Sequence, residues 1–139
     1  MKKILTLCIC FIALQLLGQT PSQEDLVGTW KVKTATVTVG ENTPAQQQIR
    51  NEIKQGLTNA EFEFGPQQDF RFRMPASRPA SLAEMESISG SSWKWDAALE
   101  MVMIGSELDG YNLLHLKVVR EDNAVTFNLP GIALSMKKI

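Results

Sequence analysis

The stretch of sequence that decides the fold is Asp25–Val39, DLVGTWKVKTATVTV. It begins with a glycine and a tryptophan, Gly28 and Trp30, and continues with alternating apolar and polar residues. In a strand, a period of two places successive side chains on opposite faces of the sheet. We therefore predict a long first strand with one face turned towards an apolar core.

The same period of two governs most of the chain after residue 60. Glu61–Phe64 and Phe70–Met74 alternate charged and apolar residues around a turn at Gly65–Gln68, which predicts a hairpin with glutamates opposite arginines on its outer face. Further strands are predicted from the inward positions Trp93, Trp95, Leu99, Met101, Met103, Leu114, Leu116, Val118, Val125, Phe127, Leu129, Ile132, Leu134 and Met136.

One segment has the period of a helix. Thr43-Pro44-Ala45-Gln46 has the pattern of a capping box, with Thr43 as N-cap, proline at the first helical position and Gln46 reaching back. Apolar residues then recur every four positions until Gly56 or Asn59 ends the helix. They are Ala45, Ile49, Ile53 and Leu57. Such a narrow apolar stripe predicts a helix that packs on a larger body.

Pro75–Ser92 is the least regular stretch, rich in proline, serine, alanine and glycine. Ser81–Glu84 can cap a short helical turn, and the rest is predicted to be a loop. Because long loops on rigid scaffolds often carry binding sites, this loop either covers an opening, contacts a partner or is passive.

About eight short strands at hairpin spacing, with a helix after the first, predict an all-β domain. Short turns imply antiparallel neighbours, and strands with one apolar face bury it best by closing into a barrel, which also removes unpaired edges. We therefore predict an antiparallel up-and-down β-barrel of about eight strands, with the helix after strand 1 packed on one barrel end. A two-sheet sandwich has the same periodicity and stays open as the alternative.

The N-terminus has the features of a secretory signal peptide, since a basic start at Met1–Lys3 precedes an apolar run over Ile4–Leu17. That run is shorter than the roughly 20 residues of a membrane-spanning helix, so no membrane span is expected, and a retained N-terminal anchor is the alternative. Cleavage near Gly18 would divide the chain into a signal peptide at 1–18, a short linker at 19–25 and one barrel domain at 26–139. We therefore expect export to the periplasm or the extracellular space.

Cysteines and charge narrow the classes of function. Both cysteines, Cys8 and Cys10, lie in the predicted signal peptide, so the mature chain could form no disulfide, thiolate metal site or cysteine nucleophile. Without Lys2 and Lys3, the chain has 12 basic against 15 acidic side chains, a net charge of −3. Its cations are spread out, so we expect no nucleic-acid partner.

Gly28-Thr29-Trp30, at the start of the first strand, resembles the Gly-x-Trp signature of the lipocalins and lipocalin-like proteins. The F-x-F hairpin and the ending Ala133–Ile139, an apolar strand with a basic tail, are similar to those of short secreted lipocalin-like proteins common in Bacteroidota. The resemblance implies that Gly28 lets the chain enter the barrel closely, while the Trp30 indole plugs the narrow end under a basic side chain. The candidates for this cover are Arg120, Lys137 and Lys138. A binding function is then expected at the opposite end.

The predicted interior is rich in aromatic and methionine side chains, which can line a cavity for an apolar or flat ligand. The same side chains can instead fill the core that a small barrel has to pack. The predicted ligand-binding residues are Phe62, Phe70, Phe72, Trp93, Trp95, Met101 and Met103.

Patterns for catalysis or metal binding are weak. His115 is the only histidine, and no second histidine or thiolate of the mature chain could share a metal with it. The carboxylates that a glycosidase would need fall at outward or turn positions. They are Glu61, Glu63, Asp96, Glu100 and Asp109. We expect no enzyme activity, metal or cofactor. A hydrolase that uses these carboxylates is the third and last of the candidate functions.

We therefore expect a secreted, non-catalytic lipocalin-like protein that binds a small apolar or amphipathic molecule in or at the mouth of the barrel. The alternative is a protein–protein interaction or inhibitor module with a fully packed core and an unidentified protein partner. A cavity of about 300 Å³ or more favours ligand binding. A filled interior with an exposed apolar patch favours the module.

Overall fold

The computed structural model describes residues 21–38 and 43–139. The predicted signal peptide at 1–18 and the first two residues of the predicted linker lie outside the described residues. Two α-helices, α1 at Gln23–Leu26 and α2 at Pro44–Leu57, and a 3₁₀ helix at Ala80–Ile88 accompany eight strands. Strands β1 to β8 are Gly28–Val37, Glu61–Phe64, Phe70–Arg73, Ser92–Asp96, Met101–Gly105, Leu114–Glu121, Ala124–Leu129 and Ile132–Lys138.

The eight strands form one antiparallel sheet in the order β3-β2-β1-β8-β7-β6-β5-β4. The outermost strands of this order, β3 and β4, meet at a bridge between Asp69 and Ser92. The Phe70 N–H also donates to the Ser91 carbonyl at 2.9 Å, and the Trp93 N–H donates to the Gln68 carbonyl at 2.9 Å. The sheet therefore closes almost completely, which confirms the predicted barrel and rules out the two-sheet sandwich.

Strand directions define two ends of the barrel. At the helix end lie α2, the 3₁₀ helix, the loop at 106–113 and the turn at Pro130–Gly131. At the Trp30 end lie α1 and the turns at 65–69, 97–100 and 121–123. Every candidate site described below belongs to one of these two ends.

The hairpin β2–β3 has the predicted register. Glu61 pairs with Arg73 and Glu63 pairs with Arg71, so the charges share the outer face while the phenylalanines are buried. The Arg73 Nη2 lies 3.2 Å from the Glu61 Oε2. An ion pair this exposed contributes about 0–1 kcal/mol, so it specifies register more than stability.

Helix α2 begins as predicted, and it ends between the two expected positions, Gly56 and Asn59. The Thr43 Oγ1 accepts a hydrogen bond from the Gln46 N–H at 3.3 Å, whereas the Gln46 Oε1 makes no hydrogen bond to any described residue. The helix ends at Leu57, and Asn59 follows with a left-handed φ of 70°. Thr43 is therefore a simple N-cap, and the second half of the predicted capping box is not formed.

The apolar stripe of α2 packs on the barrel only through its C-terminal half. Leu57 is buried and Ile53 packs against the core, but Ile49 is 54% exposed and Ala45 is also exposed. The first turns of α2 therefore stand away from the barrel, while its last turns close over the helix end.

The segment predicted as a linker at 19–25 overlaps a short helix, α1. Asp25 donates its N–H to the Ser22 Oγ at 3.4 Å, and the Ser22 N–H donates to the Asp25 Oδ2 at 3.0 Å. This reciprocal capping box stabilises α1, whose Leu26 is buried. In the part of the chain that the structure describes, no helix is long and apolar enough to cross a membrane.

Candidate functional site

The middle of the barrel is filled by aromatic rings. Phe62 and Phe127 meet edge to face with centroids 5.9 Å apart, and Phe64 meets Trp93 at 5.2 Å. Such edge-on contacts are the favoured geometry between aromatic rings. The cluster consists of Phe62, Phe64, Phe70, Phe72, Trp93 and Phe127, each at most 2% exposed. These rings pack directly on one another and fill the middle of the barrel.

Trp93 belongs to this packed centre because its polar atom is satisfied within the barrel. Its Nε1–H donates to the Gly65 carbonyl at 3.0 Å, and the side chain is fully buried. A buried indole that has its hydrogen-bond partner and its ring contacts contributes packing and fixes the geometry of its neighbours. Trp93 and Phe70, both predicted to bind ligand, are thus fully buried core residues of the packed centre.

An apolar cavity of about 150 Å³ lies at the helix end, between the aromatic centre and the two helices that cover it. We call it the helix-end cavity. No polar atom contributes to its lining. Its walls are Ile53, Leu57, Phe62, Phe72, Met85, Ile88, Leu114, Leu129, Ile132 and Leu134. Of the predicted ligand-binding residues, Phe62 and Phe72 line this cavity.

The lid of the helix-end cavity comes from the segment predicted to be mainly loop. The 3₁₀ helix brings Met85 and Ile88 over the opening, and Ser89 ties its end to β3. The Ser89 Oγ accepts from the Phe72 N–H at 2.7 Å and donates to the Phe72 carbonyl at 3.1 Å. The side chain of Ser89 thus occupies the hydrogen-bonding groups that β4 would use if it continued alongside β3.

A second contact fixes the same lid. The Glu86 Oε1 accepts from the Met74 N–H at 3.3 Å and lies 3.4 Å from the Arg78 Nε. Helix α2 is joined to the lid by Glu52, whose Oε2 accepts from the Ser81 Oγ at 2.9 Å. The lid is therefore attached to both β3 and α2, and it completes the barrel wall where strand pairing between β3 and β4 is sparse.

A more open groove of about 280 Å³, which we call the helix-end groove, lies next to the cavity. The groove and the cavity share Ile53 and Ile132. The exposed Ile49 and the polar Gln46 and Arg50 of α2 form one wall, and the turn at Pro130–Gly131 forms the other. The groove thus places polar and charged groups beside the apolar cavity.

Met101 and Met103 were predicted to face the interior, and this placement is wrong. Met103 pairs with His115 and Met101 pairs with Lys117, so both methionines are on the partly exposed outer face of β5. The inward residues of this strand are Val102 and Ile104, both fully buried. Because four consecutive residues of β5 are apolar, their sequence does not show which of them face inward. Neither methionine lines the barrel interior.

Trp95 has an intermediate position. It pairs with Val102 on the inward face of β4 and packs against the core, but it stays partly exposed. The strand runs from the helix end towards the Trp30 end, and Trp95 comes late in it. It is therefore not part of the helix-end cavity.

Trp30 seals the opposite end. Its Nε1–H donates to the Leu26 carbonyl at 2.9 Å, and its ring packs on Phe127 with centroids 5.5 Å apart. Of the three predicted cover residues, Lys138 lies over the indole, with its Nζ 5.6 Å from the ring centroid. Gly28 has a φ of +130°, and a Cβ there would lie 2.9 Å from the Lys138 Cε, so a side chain at this position would crowd the cover.

The ionisable residues considered for catalysis serve local structure. His115 Nε2 lies 3.0 Å from the Tyr111 carbonyl on the outer face. The Asp109 Oδ1 accepts from the Ser106 N–H at 3.0 Å and the Asn112 N–H at 3.2 Å, and the hydrogen bond from Ser106 lowers the pKa of the Asp109 carboxyl most. The Asp96 Oδ1 accepts from the Leu99 N–H at 3.0 Å. Across residues 21–38 and 43–139, no three histidine, aspartate, glutamate or cysteine side chains gather in a way that could hold a metal ion.

Most walls of the helix-end cavity were predicted only as generic core. Leu114, Leu129 and Ile132 stand at strand ends, which their position beside predicted turns could have indicated. Met85 and Ile88, together with Leu82, recur every three residues, which is the period of the 3₁₀ helix that they form, and a search for periods of two and 3.6 misses it. Comparison with protein-family models, with curated proteins and with solved structures finds no match to this chain.

Proposed function

We propose that this protein is an exported, lipocalin-like binding protein without catalytic activity, and that it takes a small apolar or amphipathic molecule at the helix end of its barrel. The observation that carries the proposal is the helix-end cavity, whose lining is entirely apolar. Ligand sites are typically concave and mostly apolar, with a few polar groups that fix orientation. The helix-end groove supplies such groups next to the cavity, from Gln46 and Arg50.

Cavity volume limits the class of ligand. The 150 Å³ of the helix-end cavity is half of the roughly 300 Å³ that we expected of a ligand-binding barrel, so a drug-sized molecule does not fit. An engineered apolar cavity of about 150 Å³ stays dry and binds benzene or xenon. The proposed ligand is therefore a single small ring or a short alkyl chain, and an amphipathic ligand would leave its polar group in the helix-end groove.

The test is a titration with toluene and with 1-hexanol, followed by NMR chemical shifts of the side-chain methyl groups. Leu114→Phe adds bulk to the cavity wall, whereas the matched Leu113→Phe adds the same bulk next door, on a leucine that is 53% exposed. We expect shifts at Leu134 and Ile53, an affinity about tenfold weaker in Leu114→Phe, and an unchanged affinity in Leu113→Phe.

Two outcomes would overturn the proposal. One is the absence of saturable shifts in the wild-type protein, and the other is equal affinity in both phenylalanine variants. If Leu114→Phe does not fold, as judged by its circular dichroism, Ile88→Phe serves the same purpose because Ile88 lies in the lid and is only partly buried.

A protein-binding module is the second candidate, and Leu108 is the observation that favours it. Leu108 is 101% exposed at the tip of a loop whose backbone is tied together by Asp109. A loop that its own hydrogen bonds already order loses less conformational freedom when its exposed leucine contacts a partner. A photocrosslinking residue at position 108, introduced in the native host, should then give one defined adduct, and the same residue at the exposed Leu99 should give none. Equal labelling at both positions would count against this candidate.

A further inference from the structure

A larger pocket of mixed character lies at the Trp30 end, where the resemblance to lipocalins predicts only a plug. We call it the Trp30-end pocket. It has a volume of about 440 Å³ and opens between α1 and the ends of β6, β7 and β8. It is separated from the helix-end cavity by the packed aromatic centre, and the two share no lining residue. A ligand bound here would therefore be independent of the function proposed above.

The floor of the Trp30-end pocket is apolar. Val118 and Met136 are almost fully buried, and the partly buried Val125 pairs with Met136 across the strands. The Trp30 indole and the buried Leu26 complete this floor. An apolar group that enters the pocket would contact five apolar side chains and would lose contact with water.

The rim of the pocket is positively charged. Arg120 follows Val118 in the inward-facing row of β6, and Lys138 follows Met136 in the inward-facing row of β8, so both strands place a cation where the apolar row ends. Lys33 and Lys137 add two more cations. Glu24 and Asp25 of α1 are the carboxylates among the lining residues.

This charge runs against the charge of the whole chain. Four cations face two carboxylates at the pocket, whereas the full chain has a formal net charge of −1. A local excess of positive charge above an apolar floor attracts an anion and raises its concentration at the opening. A cationic ligand would meet repulsion at the same place.

Lys138 and Arg120, the two cations of the inward-facing rows, differ in their contacts with the rest of the protein. The Lys138 Nζ donates to the Asp25 carbonyl at 3.1 Å and covers the Trp30 ring, so it is engaged in the plug. Arg120 is exposed, and no hydrogen bond or ion pair to another residue of the described ranges holds its guanidinium. Its charge does reach Asp25, where it is one of the lesser causes that lower the pKa of that carboxyl, after the hydrogen bonds from Ser22.

We propose that the Trp30-end pocket is a binding site for a small amphipathic anion, with an apolar body on Trp30, Val118 and Met136 and a carboxylate or sulfonate against Arg120. The planar guanidinium presents paired N–H donors that match the two oxygens of such a group. Lys33 and Lys137 add charge at the rim, and Lys138 keeps its position in the plug.

The test uses octanoate as the probe, with 1-octanol and octylammonium as neutral and cationic matches of the same chain length. Dissociation constants come from NMR titrations that follow the indole N–H signal of Trp30, assigned by comparison with Trp30→Phe. Arg120→Gln removes the proposed anion contact. Lys117→Gln is the matched control, since Lys117 is an exposed cation on the outer face of the same strand.

We expect octanoate to bind more tightly than both matched probes and to bind about tenfold more weakly to Arg120→Gln, the loss of one charge-assisted contact. Lys117→Gln should bind it as the wild type does, and Arg120→Lys should be intermediate. Octanoate affinity should also fall as salt is raised. No saturable shift of the Trp30 signal, or equal affinity in the Arg120→Gln and Lys117→Gln variants, would overturn the proposal.

The same titration in a Leu114→Phe background separates this site from the helix-end cavity. If octanoate enters only the helix-end cavity, the shifts appear there, they weaken in Leu114→Phe, and the Trp30-end proposal fails. If it enters only the Trp30-end pocket, the shifts of Trp30 persist in Leu114→Phe, and the outcome at the helix end is decided by toluene alone.

Discussion

Replacing Trp30 by alanine tests how far the barrel depends on its plug. The indole is 6% exposed, packs on Phe127 at 5.5 Å and donates a hydrogen bond of 2.9 Å to the Leu26 carbonyl. Trp30→Ala therefore removes a large buried side chain together with one of the contacts that hold α1 on the barrel. It also leaves Lys138 without the ring that it covers.

These contacts set the expected magnitude. Replacing a buried tryptophan or phenylalanine by alanine costs about 3–5 kcal/mol, through lost burial and the cavity left behind. The cation–π contact with Lys138 is an exposed one and adds about 0.5–1 kcal/mol at most. Trp30→Phe keeps a ring but removes the indole donor, which leaves the Leu26 carbonyl without this partner and costs about 1–3 kcal/mol.

Urea unfolding followed by far-ultraviolet circular dichroism measures both variants, with the free energy of unfolding extrapolated to water. Leu99→Ala is the control, because Leu99 is 56% exposed and its truncation should change stability by about 0.5 kcal/mol or less. A Trp30→Ala variant within about 1 kcal/mol of the wild type would refute the plug. It would also weaken the resemblance to lipocalin-like proteins, which rests largely on this residue.

Three other substitutions test the packing of α2, the backbone at Gly28 and the Asp25 carboxyl separately. Leu57→Ala should lower the free energy of unfolding by about 2–5 kcal/mol, whereas Ile49→Ala should change it by about 0.5 kcal/mol or less. The reason is that only the C-terminal half of α2 is packed. Equal losses in urea unfolding would show that the whole helix is docked. Gly28→Ala should cost about 1–3 kcal/mol because a φ of +130° strains any side chain, and an unchanged melting temperature would show that the backbone relaxes there. The pKa of the Asp25 carboxyl lies below its ordinary value of 3.8, chiefly because the Ser22 N–H donates to it. Its contribution to stability is therefore complete above that value and is lost as the pH falls through the lower, folded-state pKa. Melting temperatures between about pH 5 and pH 2 should fall less steeply in Asp25→Asn than in the wild type, and parallel curves would contradict this.

The sequence predicts the barrel well where charged and apolar residues alternate. In Glu61–Phe64 and Phe70–Arg73 each inward phenylalanine has a charged neighbour, so the phase of each strand is unambiguous and the observed register follows. Thr43 and Pro44 likewise mark the start of α2, because a helix N-terminus needs local capping that local sequence can supply.

Phase is lost where a strand is apolar at every position. In Met101–Ile104 either alternate pair of side chains could face inward on the sequence alone. The pairing of Val102 with Trp95 and with Leu116 determines that Val102 and Ile104 do so. The turn at 97–100 sets that pairing, with Glu100 in a left-handed conformation at a φ of 52°. A local pattern cannot predict a register that depends on the geometry of a turn and on partner strands.

The candidate sites were hardest to predict because no continuous segment forms them. The helix-end cavity is built from both covering helices and the ends of several strands, which meet only in the folded barrel. The Trp30-end pocket depends on Arg120 and Lys138, whose alternation with apolar residues resembles an ordinary strand that runs out into solvent. Their meaning appears only when both strand ends are seen to converge on Trp30.

The most direct test of the proposed function is a crystal structure of the protein under xenon pressure. Xenon occupies small apolar cavities of about 150 Å³ and does not depend on the identity of the natural ligand. The helix-end cavity predicts one strong xenon site among Phe62, Phe72 and Leu134, and a weaker or absent site in Leu114→Phe crystals. If xenon binds elsewhere in the crystal but not in the helix-end cavity, that result would contradict a ligand site at the helix end.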